Sequence, residues 1–162
     1  KNPAFVLRGG AANPFAGLVV VYSKPTLGDL DGDGDLDLVA GERFGRFFYA
    51  ENTGTATSPA FVLRTGTANP LDGQLAGTRS NPMLRDLDGD GDSDLVSGDT
   101  SGSFLYFENT GSANAPAFVL RTGVANPFAG LPVAPFSAPG LGDLDGDGDL
   151  DFVSGNNAGL FT

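Results

Sequence analysis

An all-β fold made of repeated four-stranded antiparallel sheets is predicted by three features of this 162-residue sequence. Matching segments recur at a fixed interval: Asp29, Asp86 and Asp143 begin near-identical windows 57 residues apart. The 25 Gly and 11 Pro are too many for long helices and suit short strands joined by tight turns. Each unit also holds four strand-like runs, the make-up of a β-propeller blade, which recurs at about 40–50 residues or slightly more.

Taken in order, the chain opens on Ala4–Arg8, a copy of the PAFVLR segments that contain Phe61 and Phe118. It is expected to be a fourth strand separated from the rest of its blade. The first full unit then predicts strands at Pro25–Gly28, Leu36–Gly41, Arg46–Asn52 and Ala60–Arg64, with Gly and Asn at the boundaries supplying the positive φ of tight turns. In the second unit the third strand, Phe104-Leu105-Tyr106-Phe107, is apolar on both faces and calls for cover on both sides. Blades stacked face to face provide that cover; a two-layer β-sandwich would not explain the regular four-strand period. The last unit ends inside a third strand at Leu160–Thr162, which Ala4–Arg8 is expected to complete. The organisation predicted is a split-blade strand over 1–8, blades over 23–64 and 80–121, and a partial blade over 137–162.

Composition narrows the chemistry. There is no Cys and no His, which removes disulfides, thiolate metal sites, the Ser-His pair and the usual general base. The longest apolar run, Leu18–Tyr22, is far too short to cross a bilayer, and the first residues show no charged-then-apolar leader pattern. Nucleic acid is a poor partner, because the nine Lys and Arg are scattered and the net charge is −11. That charge is local: 15 of the 20 acidic residues lie in three nine-residue windows.

The windows read DLDGDGDLD at Asp29–Asp37 and Asp143–Asp151, and DLDGDGDSD at Asp86–Asp94. Carboxylates fall at positions 1, 3, 5, 7 and 9, with Gly at 4 and 6. Two carboxylates 4 Å apart repel by roughly 4 kcal/mol at an effective dielectric near 20, so four crowded together require a cation. All-oxygen, carboxylate-rich ligation favours Ca²⁺, which takes six to eight oxygens, over Mg²⁺ or Zn²⁺. Side-chain ligation is expected from Asp29, Asp31, Asp33 and Asp37, with the backbone carbonyl of Asp35 completing the shell and its carboxylate turned outward or holding a metal-bound water. The same roles fall on Asp86, Asp88, Asp90, Asp94 and Asp92, and on Asp143, Asp145, Asp147, Asp151 and Asp149. About three Ca²⁺ per chain would bring the formal charge from −11 to −5 (−11 + 6). An EF-hand is excluded, because it needs Glu at position 12, where Ala40, Ser97 and Ser154 stand, and helical flanks.

The loop, the Asp-Leu-Val-Ser-Gly strand after it and the blade-length spacing together resemble the FG-GAP/VCBS repeats of integrin-α-type β-propellers across essentially the whole chain. Phe44-Gly45 is the nearest approach to an FG signature and no Gly-Ala-Pro follows, so the likeness is closer to bacterial VCBS-type repeats. The resemblance implies an extracellular or cell-surface, calcium-stabilised scaffold for adhesion or ligand binding, without catalysis. Some relatives are lectins and some sit beside enzymes.

Three blades are fewer than the four to eight that usually surround an axis. Two copies giving six blades, three giving nine, or a longer natural chain would supply the rest. A glycan or protein ligand is expected at segments that differ between repeats: Val19–Lys24, Ala76–Asn81 and Val133–Ala138, and Glu42–Phe44, Asp99–Ser101 and Asn156–Ala158. Tyr22, Phe44 and Phe136 there are candidate sugar-stacking aromatics. For an enzyme Glu42, Glu51, Asp99 and Glu108 remain as candidate acids, and the equivalent Glu51 and Glu108 fit a structural role.

Overall fold

The computed structural model describes residues 4–131 and 134–161. Ten strands form three antiparallel sheets among these residues. The first joins β1 (Lys24–Gly28), β2 (Asp37–Gly41), β3 (Phe47–Asn52) and β4 (Phe61–Arg64) in sequence order. The second repeats this with β5 (Asn81–Arg85), β6 (Asp94–Gly98), β7 (Phe104–Asn109) and β8 (Phe118–Arg121). The third holds β9 (Ala138–Gly142) and β10 (Asp151–Gly155), with an isolated bridge from Gly155 to Phe161. The two four-stranded sheets have the form of propeller-like blades, and the three sheets do not close a ring among the described residues.

Each blade is a meander whose turns are fixed by side chains. Between β3 and β4, Asn52 Oδ1 accepts the Gly54 and Ala60 amides at 3.2 and 2.9 Å; Asn109 repeats this between β7 and β8. The Glu of the same ENTG segment reaches across the ladder to the last strand. Arg64 donates two nitrogens to Glu51 at 2.7 and 2.8 Å, and Arg121 does the same to Glu108. Such forked pairs fix geometry as well as charge.

The core lies between blades rather than within one. Phe107 is fully buried and meets Phe47 of the first blade edge-on at 5.6 Å, while Phe104 meets Phe152 of the third at 4.9 Å and 85°. Alternation along β7 therefore feeds two interfaces, as expected from its two apolar faces. Burying each such ring is worth roughly 1.5–3 kcal/mol. Backbones also approach closely: a methyl group on Gly41 or Gly98 would run into the carbonyl oxygen of Ser80 or Ser137 in the next blade. That contact explains why the β2 and β6 strands must end on Gly.

Connections between blades carry a short 3₁₀ turn and a plug. Asn69 donates to the Phe47 carbonyl at 3.2 Å and accepts the Leu71 amide, sinking Leu71 into the first interface. Asn126 and Phe128 repeat the device in the second.

The strand expected at Ala4–Arg8 differs. These residues carry no strand, and Phe5 and Leu7 are 97% and 99% exposed. The same FVLR letters become β4 and β8 because β3 and β7 offer them a ladder, and nothing in the described residues offers one to Ala4–Arg8. Lys1–Pro3, Pro132, Val133 and Thr162 lie outside the described residues.

Candidate metal centre

The Asp windows connect β1 to β2, β5 to β6 and β9 to β10, at the ends of strands paired in register from Gly28↔Asp37, Arg85↔Asp94 and Gly142↔Asp151. Glycine at positions 4 and 6 turns the chain with positive φ in every loop, from 73° at Gly32 to 96° at Gly91 and Gly148. In the first loop Asp29 accepts the Gly32 and Gly34 amides at 2.7 and 3.0 Å, while Asp31 and Asp33 accept those of Asp33 and Asp35. The second loop repeats the pattern with Asp86, Asp88 and Asp90, the third with Asp143, Asp145 and Asp147. Short Asp side chains thus fold the loop inward on its own amides.

Carboxylate oxygens of Asp29, Asp31 and Asp33 lie within 4.8 Å of one another, as do those of Asp86, Asp88 and Asp90, and of Asp143, Asp145 and Asp151. Two oxygens on opposite sides of one Ca²⁺ are about 5 Å apart, so these spacings suit a shared ion. No Lys or Arg pairs with any of the loop carboxylates among the described residues.

Positions 7 and 9 depart from the expected roles. Asp37 is 1% exposed: its Oδ2 accepts the Leu30 amide at 3.0 Å and the Tyr49 hydroxyl at 3.1 Å, and its Oδ1 accepts the Asn52 amide at 2.7 Å. Asp94 binds Leu87, Tyr106 and Asn109 in the same way. Each therefore ties the loop to the first and third strands and stands outside its loop's oxygen cluster. Asp151 accepts only Leu144, with no tyrosine or asparagine beside it among the described residues, and it joins its cluster. At position 7, Asp35 and Asp92 are buried rather than turned outward, and the Oδ1 of each has no hydrogen-bond partner. Asp149 alone is exposed.

The electrostatics follow from burial. Desolvation, and then the neighbouring carboxylates, hold the Asp31, Asp35 and Asp92 carboxyls above the ordinary aspartate range. Asp37 and Asp94 are raised by desolvation too, partly offset by the amides and hydroxyl they accept. Burial, then the Asp37 or Asp94 charge, pushes the Tyr49 and Tyr106 hydroxyls well above the usual phenol range, so both stay donors. A divalent cation reverses the balance for the carboxylates. An unpartnered buried oxygen is the kind of atom such an ion satisfies.

The family model of the FG-GAP-like repeat matches residues 86–154. Those residues are similar to an FG-GAP-like repeat. The repeat spans the second Asp loop, β6 to β9 and the third Asp loop, with the β7–β8 ion pair and the Asn126 plug between them. The first blade carries the same loop, strand register and Tyr–Asp–Asn linkage 57 residues earlier than the second. No curated protein and no solved structure matches the chain. No helix among the described residues is long and apolar enough to cross a membrane.

The acids outside the loops are also placed. Glu51 and Glu108 sit in their arginine forks, Glu42 accepts the Arg46 amide, and Asp99 gathers the Ser101, Gly102 and Ser103 amides. Two groups of residues escaped the sequence reading. Asn69 and Asn126 of the second and third ANP segments tie each connector to β3 or β7, and buried Ser80 bridges the first two blades by accepting the Glu42 amide and donating to the Arg46 carbonyl. Recurrence at the repeat period was the available signal for both, since Ser23, Ser80 and Ser137 also stand 57 residues apart.

Proposed function

We propose that the chain is a calcium-stabilised β-propeller scaffold for binding or adhesion outside the cell, with no catalytic role of its own. The observation that carries the calcium assignment is the unpartnered, buried Oδ1 of Asp35 and of Asp92 beside a cluster of carboxylates that share no cation side chain. FG-GAP-like repeats are typically extracellular and generally scaffolds, and the match over residues 86–154 supports both parts of the reading. Bound Ca²⁺ supplies charge neutralisation and rigidity. Asp29, Asp31 and Asp33, Asp86, Asp88 and Asp90, and Asp143, Asp145 and Asp151 would hold it, while Asp37 and Asp94 lock the loop to the blade behind. Calorimetric titration of calcium into EDTA-stripped protein is expected to give about three sites, and Asp31→Asn to remove one of them. Absence of calcium uptake would overturn the assignment.

A second observation favours a partner copy. Phe5 and Leu7 stand exposed in a segment whose letters form the fourth strand of both complete blades. Pairing of Ala4–Arg8 with the third blade of a second copy would bury them, two copies giving six blades and three giving nine. Light scattering should then give two or three times the chain's 16.5 kDa, and Phe5→Asp should return it to the single-chain mass. A single-chain mass for the unaltered protein would sink this reading.

A further inference from the structure

Variation among the three units is not spread evenly. The Asp loops repeat almost letter for letter, whereas positions 22, 79 and 136 are Tyr, Arg and Phe, positions 43, 100 and 157 are Arg, Thr and Asn, and positions 44, 101 and 158 are Phe, Ser and Ala. The fold gathers these positions at one place. Residues 22, 79 and 136 precede β1, β5 and β9, the end of those strands opposite the Asp loops, and residues 43 and 44 sit in the β2–β3 turn beside them.

Main-chain hydrogen bonds stitch this rim across the blades. The Arg43 amide donates to Val21 and the Arg79 amide to Arg43; Thr100 then donates to Thr78, and Phe136 to Thr100. On that frame the side chains converge. The Arg43 guanidinium lies 5.6 Å from the Tyr22 ring centre and 5.7 Å from that of Phe44; the Arg79 guanidinium lies 5.1 Å from Tyr22 and 5.3 Å from Phe136. Tyr22 and Phe44 remain 57% and 66% exposed.

Two features set this cluster apart from surface packing. Tyr22, Arg79 and Phe136 are the non-glycine residues with positive φ among the described residues, at 59°, 57° and 64°. A bulky side chain there is strained, and such strain gathers at functional positions. The second feature is charge. In a chain of net charge −11, neither Arg43 nor Arg79 has a carboxylate partner among the described residues. Nearby Glu42 and Asp99 are buried and occupied by turn amides. Lys24 adds a third cation, its pKa lowered by burial and then by the charge of Arg79. Beside Arg79 and Phe136 opens a depression of about 530 Å³, walled also by Asn156 and Asn157.

From this geometry we infer that the rim opposite the Asp loops is a binding site for an acidic carbohydrate, a hexuronate-containing glycan. A guanidinium held against an aromatic ring with no carboxylate partner keeps N–H groups free, and its planar fork matches a carboxylate with two parallel hydrogen bonds. Exposed aromatic faces take the apolar face of a pyranose ring, and the Asn157 amide is placed for its hydroxyls. The inference rests on the binding-scaffold reading but not on the calcium loops, which lie at the other end of the blades.

The test uses the calcium-loaded full chain and three tetrasaccharides of one backbone: β-1,4-linked glucuronate, cellotetraose, and cellotetraose sulfated at its 6-hydroxyls. The glucuronate form should bind at least tenfold more tightly than cellotetraose and more tightly than the sulfated form. Arg79→Gln and Arg43→Gln should each weaken it about tenfold, and Tyr22→Ala should weaken all three sugars. Circular dichroism and the calcium-dependent melt should be unchanged in these variants. Equal binding of cellotetraose would overturn the role of the arginines, and preference for the sulfated form would overturn the carboxylate. No binding of any sugar by protein with an intact calcium-dependent melt would refute the site while leaving the scaffold standing.

Discussion

Chelating calcium with EDTA is expected to lower the melting temperature of this chain by roughly 15–30 °C. Each independent site adds about 2.7 kcal/mol at a free ion concentration 100 times its Kd, so three add about 8 kcal/mol. A chain of this size shifts its melt by about 2–4 °C per kcal/mol. The pH dependence should change sign with the ion. In EDTA, Asp31, Asp35, Asp37, Asp92 and Asp94 have pKa values above the ordinary 3.8, chiefly through burial. Groups raised in this way contribute stability that is full below the ordinary value and lost as pH rises through the folded one. The stripped protein should therefore gain stability as pH falls from neutrality towards about 4.5. Below that the lowered pKa values of Glu51 and Glu108, held by Arg64 and Arg121, bring the opposite loss. With calcium bound the same acidification should destabilise throughout, because the ligands must be deprotonated. Scanning calorimetry across pH, with and without chelator, reads both effects; a melt unmoved by EDTA would remove the ion from the account of stability.

Asp94→Ala should cost about 3–5 kcal/mol even without metal. Its carboxylate is 1% exposed and accepts the Leu87 amide, the Tyr106 hydroxyl and the Asn109 amide at 3.0, 3.1 and 2.7 Å. Truncation leaves all three donors without a partner in the interior, each at about 1–3 kcal/mol, partly relieved by water. Tyr106→Phe removes one donor and acceptor contact and should cost about 1 kcal/mol. Asp149→Ala makes the matching control, since its side chain is exposed in the third loop, and should stay within about 0.5 kcal/mol. Urea unfolding in EDTA measures the series. Equal losses for Asp94→Ala and Asp149→Ala would mean that position 9 acts through the ion alone.

Much of the fold was legible because it is written in periodicity. The four strands predicted in the first unit agree with β1 to β4 within one residue at each end, and the two-faced apolar run at Phe104–Phe107 foretold the two interfaces that it fills. The crowding of carboxylates in the loop was legible, since Gly at two fixed positions lets alternating Asp side chains fold together. Roles within the loop were not. Asp29 and Asp37 are the same residue type, and only the third strand, which brings Tyr49 and the Asn52 amide against Asp37, separates a structural carboxylate from a clustered one. Ala4–Arg8 shows the same limit from the other side, since identical letters form a strand at β4 and β8 only where a neighbouring edge exists. The Tyr22, Arg43 and Arg79 cluster also joins residues far apart in sequence, which only the stacking of blades brings within reach.

The packing of blades against their sequence neighbours has a thermodynamic consequence. The main contacts between sheets join the first to the second and the second to the third. Such a chain behaves as a short one-dimensional lattice, its stability a sum of unit terms and nearest-neighbour couplings. The middle unit has two couplings and each terminal unit one, so melting should fray inward from the ends. Closure of the ring would give every unit two neighbours and turn a graded transition into a sharp one.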